Sequence, residues 1–167
     1  TDISDILFGT PAPILGQANL GVLEDEMVNV IVHGHEPTLS EMIVAASQDP
    51  EIIEYAKAAG AKGVCLSGIC CTANEILMRQ GIPAAGNFLQ QELAILTGSV
   101  EAMVVDVQCI MQALVGLAEN FHTKIITTSP KVRIKDATHM EFDEHHALTI
   151  AKDLLRVAID NYKNLGE

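Results

Sequence analysis

From residue 28 onward, short β-rich apolar runs alternate with longer stretches of helical periodicity, the pattern of βαβ units around a parallel sheet. Val28-Asn29-Val30-Ile31-Val32 reads as the first strand, and residues 63–67 as the second. A short third strand is expected near 83–85, and Ala102-Met103-Val104-Val105-Asp106 is apolar enough to be a central fourth. Lys124-Ile125-Ile126-Thr127 is the fifth, with a short sixth near 139–142. Helix starts are marked by side chains able to occupy free backbone donors. Thr38-Leu39-Ser40-Glu41 and Thr72-Ala73-Asn74-Glu75 each have the spacing of a capping box, and Asn87-Phe88-Leu89-Gln90 reads as a third cap. Asp49-Pro50 joins an N-cap acceptor to a proline at the first helical position, and Gly60 ends that helix. A further helix is expected from Ile110 to Glu119. The last helix, near 144–164, would turn Leu148, Ala151, Leu155, Ala158 and Ile159 toward the sheet. The Pro/Gly-rich stretch Gly9–Gly16 makes residues 1–20 a leading linker or arm, and 21–167 a single domain. The predicted fold class is α/β: a Rossmann-like, doubly wound, mainly parallel sheet of five to six strands with helices on both faces.

Composition narrows the function. A chain of 167 residues with 49% apolar content can bury a real core and is not disordered. No apolar run reaches about 18 residues, so no membrane-spanning helix is expected. The acidic start Thr1-Asp2-Ile3-Ser4-Asp5 lacks the pattern of a signal peptide. A formal net charge of −12 argues against nucleic acid and anionic membranes as partners, since both demand a basic footprint. The four cysteines, Cys65, Cys70, Cys71 and Cys109, are not spread as disulfide staples, which points to a reducing, cytoplasmic compartment. The first residue is Thr, and the chain reads as part of a longer one.

The candidate chemistry lies at one edge. His33 and His35 follow the first strand, Cys70 and Cys71 the second, and Cys109 the fourth. Open α/β sheets bind ligands at the carboxyl ends of their strands. With Thr72 as N-cap, Cys71 would sit at the positive end of a helix, where a thiolate is favoured. Imidazole and thiolate together suit iron, nickel or zinc. Taken singly, Cys65 reads as core packing, His33 as a neighbour of the site, His122 and His139 as structural or surface residues, and His145 and His146 as solvated. Cys70 and Cys71 are equally compatible with ligand and packing roles. No G-x-G-x-x-G, P-loop, G-x-S-x-G or C-x-x-C motif occurs.

Longer motifs sharpen this. Val32-His33-Gly34-His35-Glu36-Pro37 with Leu39-Ser40-Glu41-Met42-Ile43-Val44, Gly68-Ile69-Cys70-Cys71-Thr72-Ala73-Asn74-Glu75, Asn87-Phe88-Leu89-Gln90-Gln91-Glu92-Leu93-Ala94 and Val104-Val105-Asp106-Val107-Gln108-Cys109-Ile110-Met111 occur in order. Together they resemble the central Rossmann-like domain of anaerobic nickel–iron carbon monoxide dehydrogenases, over nearly the whole chain. The resemblance implies an oxidoreductase that interconverts CO and water with CO2, two electrons and two protons at a nickel–iron–sulfur centre, the C-cluster. It implies that His35 and Cys71 ligate the iron outside the cubane and that Cys109 ligates a cubane iron. Cys70 would be an alternative ligand for a displaced iron when the cluster is oxidised. It also implies further 4Fe-4S clusters, the nickel ligand and the acid/base residues elsewhere in a longer chain, leaving no catalytic residue here beyond the metal ligands. An electron carrier such as ferredoxin, a homodimer and a nickel-insertion accessory protein are the implied partners, and the fragment alone is expected to be inactive. Two other readings remain open on the residues themselves: a mononuclear zinc-type site in a small hydrolase using His35, Cys71 and Cys109, and a non-catalytic Rossmann-like module.

Overall fold

A computed structural model describes residues 2–10, 12–13, 15–107 and 110–164. Six parallel strands form one sheet: β1 (Val28–His33), β2 (Val64–Ile69), β3 (Ala84–Gly86), β4 (Ala102–Val105), β5 (Lys124–Thr127) and β6 (Thr138–His139). Their spatial order is β3-β2-β1-β4-β5-β6, the doubly wound order. The chain works outward from β1 on one side and then restarts at β4 on the other, so β1 and β4 flank the switch point. All six β1 residues are buried, which is what a central strand covered on both faces requires.

Alternation along the strands builds two cores. Val28, Val30 and Val32 of β1, with Ala102 and Val104 of β4, face one layer. That layer comprises α2 (Pro37–Ser47), α3 (Pro50–Ala58), α4 (Cys70–Gln80) and α7 (Ala147–Lys163). Ile31 with Met103 and Val105 faces the opposite layer, made by α5 (Gln91–Leu96) and α6 (Ala113–Ala118). Helices therefore cover both faces, as the alternation of runs predicts.

Two of the expected caps are corrected. α2 starts at Pro37, with Glu36 as N-cap and no side-chain cap bond. The fixed φ of proline favours the first helical position, so Thr38 lies inside the helix. Glu41 is drawn away instead: its Oε2 accepts from Gln80 Nε2 at 2.9 Å. α4 starts at Cys70, and Thr72 spends its hydroxyl on the carbonyl of Gly34 rather than on its own helix. The Asp49 cap with Pro50 and the reciprocal Asn87–Gln90 capping box form as expected. β6 falls at Thr138–His139, at the leading edge of the expected span, and α6 begins only at Ala113. Within α7, Ala151, Leu155, Ala158 and Ile159 are buried, but Leu148 is 45% exposed. Ahead of β1, α1 (Asp2–Phe8) is tied to α4, as Arg79 donates to Asp5 at 2.8 Å and to the Gly9 carbonyl at 3.0 Å.

The amino edge of the sheet is closed by polar side chains. Glu101, 3% exposed, accepts the backbone N–H of Asn29. Asn161 from α7 donates to the carbonyls of Glu101 at 2.9 Å and His122 at 2.6 Å. Burial pushes the Glu101 carboxyl from 4.5 up to about 7. Between those values the folded protein keeps a proton that the unfolded chain has released. Its contribution to stability is therefore greatest below about 4.5 and is lost as pH rises to about 7. Glu101→Gln removes this titration. The variant gains thermal stability relative to the parent as pH rises through that window, measured by unfolding at several pH values. A parent–variant difference that does not change with pH contradicts the assignment.

Candidate metal centre

The carboxyl edge is built differently. β1 ends at His33, and Gly34-His35-Glu36 carries the chain across the switch point into α2. Gly34 adopts φ +135°, and a Cβ there would lie 1.7 Å from Asp106 Oδ1, so only glycine fits. The loop is hydrogen-bonded on two sides. The N–H and the hydroxyl of Thr72 donate to the Gly34 carbonyl at 3.0 and 2.6 Å. Asp106, just beyond β4, accepts the N–H groups of His35 and Glu36, each at 2.8 Å. The loop bearing His35 is thus joined directly to the first turn of α4, which bears Cys71, and to the end of β4.

α4 opens on the paired cysteines because β2 turns into it without a connecting loop. Gly68 makes this possible: a Cβ on it would meet the Ala73 Cα at 2.5 Å. The turn falls on Cys70, whose φ of +66° is the left-handed region that costs a side-chain-bearing residue on the order of 1–2 kcal/mol. Its sulfur stands 3.6 Å from His33 Nε2. His33 is buried, and its Nδ1 has no hydrogen-bond partner among the described residues. Burial holds its pKa down at about 4, so the imidazole beside Cys70 is neutral near pH 7. Cys71 is exposed on the first turn of α4.

The site residues expected from sequence are distributed as follows. His35 is half-buried and Cys71 exposed, both on the carboxyl edge next to the switch point. Cys70 shares that turn, and His33 packs behind it rather than on the rim. Cys109 lies outside the described residues. Among the described residues no three His, Cys, Asp or Glu side chains gather closely enough to hold a metal ion by themselves. Cys65 is partly buried in β2, with its sulfur 3.4 Å from the Val22 carbonyl, and His145 and His146 are exposed. His139 bonds Thr127 within the sheet at 2.9 Å, and His122 packs beside Glu101 at the opposite edge. An acidic cleft lined by Glu36, Asp106, Thr128, Phe142 and Glu144 adjoins the His35 loop. Burial raises the carboxyls of Glu36 and Asp106, and the N–H donors of His35, Val107 and Glu36 pull Asp106 part of the way back. Sequence reasoning placed Asp106 in a strand and gave it no role. The signal was there: a lone carboxylate ending an otherwise apolar, buried strand has to find donors.

The doubly wound sheet brings the imidazole of His35 and the sulfurs of Cys70 and Cys71 to its switch point, and donors of these two kinds fit part of a metal–sulfur centre. Residues 1–167 match the prismane/CO dehydrogenase family, and the chain belongs to it. It is 58% identical over 164 residues to carbon monoxide dehydrogenase 1 of Methanosarcina mazei, covering 98% of this chain and 26% of that protein. It is 53% identical over 167 residues to the carbon monoxide dehydrogenase/acetyl-CoA synthase subunit beta of Moorella thermoacetica, covering all of this chain and 24% of the other. Its fold matches the Ni-free crystal structure of carbon monoxide dehydrogenase from Thermococcus sp. AM4, produced without the CooC maturase. The TM-score is 0.93 at 56% identity, over 97% of this chain and 26% of that one. The chain spans about a quarter of the length of these relatives.

The packing of β2 against α4 sets where Cys70 and Cys71 stand. Gly68→Ala forces the two elements apart and costs about 1–3 kcal/mol, read as a lower denaturant midpoint. An unchanged midpoint contradicts the close approach.

Proposed function

We propose that this chain contributes His35, Cys71 and Cys109 to a nickel–iron–sulfur cluster held jointly with other parts of a longer polypeptide, an anaerobic carbon monoxide dehydrogenase. When bound, that cluster supplies the two-electron interconversion of CO and water with CO2 and two protons. The observation that carries the reading is the junction at the switch point. One loop presenting an imidazole is hydrogen-bonded both to the helix turn presenting Cys71 and to the strand end three residues before Cys109.

His35 supplies a neutral nitrogen donor, and Cys71 and Cys109 supply anionic sulfur. Cys70, on a strained turn beside neutral His33, is an alternative sulfur donor one residue away. Three donors cannot saturate such a cluster, so the nickel ligand, the remaining thiolates and the acid/base groups come from outside this chain. The same reading takes the working protein to be a cytoplasmic homodimer that passes electrons to a carrier such as ferredoxin and receives nickel with the help of an accessory protein.

The test uses the full-length protein, produced without oxygen and supplied with nickel, iron and sulfide. The parent oxidises CO with an artificial electron acceptor. His35→Ala and Cys71→Ala each lower turnover by more than about 100-fold and reduce bound iron, since direct ligands outweigh the surrounding groups whose loss costs 10–100-fold. Cys65→Ala leaves both at the parent level. Zinc as the sole bound metal, or full turnover in His35→Ala, overturns the reading.

A further inference from the structure

Asp106 is a buried carboxylate, 2% exposed, that follows four buried apolar residues. Taking a carboxylate out of water is costly unless donors replace its hydration. Here three backbone N–H groups do so. Oδ1 accepts from His35 at 2.8 Å and from Val107, and Oδ2 accepts from Glu36 at 2.8 Å. The main-chain N–H of Asp106 itself donates to the His33 carbonyl at 3.2 Å. The carboxylate therefore holds both peptide groups on either side of the His35 Cα from one direction. Thr72 holds the Gly34 carbonyl from the other with two donors. The seat is tight, because the carboxylate occupies the space that a side chain at position 34 would need.

We infer that Asp106 and Thr72 are positioning residues for His35, fixing the backbone from which its imidazole reaches iron. Neither is itself a ligand. The inference rests on the reading of His35 as an iron ligand. An imidazole on a backbone already held at three successive peptide groups has little freedom left to lose on binding metal. The clamp also accounts for the otherwise uncompensated placement of a carboxylate at the end of β4. It ties the His35 loop to the cysteine helix, so the two ligands of one iron keep their relative position.

The experiment uses the full-length, metal-loaded protein. Asp106→Asn preserves shape but sets an NH2 group against one of the backbone donors. It accelerates loss of iron to a chelator by about 10–100-fold. It also broadens the Mössbauer signal of the imidazole-bound iron and speeds hydrogen exchange at the His35 and Glu36 amides. Thr72→Val removes only the hydroxyl and gives a smaller change in the same direction. Thr123→Val removes a buried hydroxyl bond at the opposite edge, 2.6 Å to the Val100 carbonyl. It lowers stability and leaves all three readouts at parent values. Parent-like iron retention and exchange in Asp106→Asn overturn the inference; if that variant does not fold, parent-like behaviour of Thr72→Val overturns it. A parent protein holding neither nickel nor iron overturns the ligand reading instead, and exchange at the two amides still decides whether the clamp exists.

Discussion

The attachment of one three-residue loop organises this domain. Gly34-His35-Glu36 leaves β1 at the point where the sheet changes direction, and it has no regular partner for its backbone. Asp106 and Thr72 supply those partners, one from β4 and one from α4. Each anchor would be costly alone: a buried carboxylate without donors, or a threonine withdrawn from capping its own helix. Together they convert a crossing loop into a fixed platform. The topology makes this possible, because β1, β2 and β4 are neighbours in the sheet although far apart in sequence.

The two edges of the sheet divide the work. At the amino edge, Glu101, Asn29 and Asn161 hold one another through buried hydrogen bonds. At the carboxyl edge, the protein keeps a left-handed Cys70 and an exposed Cys71 in one turn, beside a buried His33 whose Nδ1 has no hydrogen-bond partner among the described residues. Backbone strain and unmet polar groups lower stability unless something else uses them. The left-handed Cys70 falls at the edge where doubly wound folds bind ligands. The chain that carries this edge belongs to the prismane/CO dehydrogenase family.

Much of this was legible in the sequence. The positions of the strands and the parallel sheet between two helical layers follow from the alternation of apolar runs and helical patterns, and the Asp49-Pro50 and Asn87–Gln90 caps depend only on local side chains. The Thr38 and Thr72 caps were misplaced because tertiary partners outbid local ones: proline set the start of α2, and the Gly34 carbonyl took the Thr72 hydroxyl. Likewise α6 is short and Leu148 is exposed, since periodicity marks an apolar stripe without saying which of its positions find a packing partner. The spacing puts His33, His35, Cys70 and Cys71 just past the ends of β1 and β2, where the structure has them, while Cys109 lies outside the described residues. The lone carboxylate of Asp106 ending an apolar strand signals a need for donors, but two of them are backbone N–H groups about seventy residues away, which no side-chain pattern identifies.

The central claim is that imidazole and thiolates from separate loops of this chain grip one mixed-metal centre. Anomalous diffraction at the iron and nickel edges, on crystals of the full-length protein grown without oxygen, tests it most directly. The account predicts iron peaks within about 2.0–2.3 Å of a ring nitrogen of His35 and of the sulfurs of Cys71 and Cys109, with a nickel peak in the same cluster. Iron and nickel peaks placed elsewhere, with these three side chains bare, would contradict it.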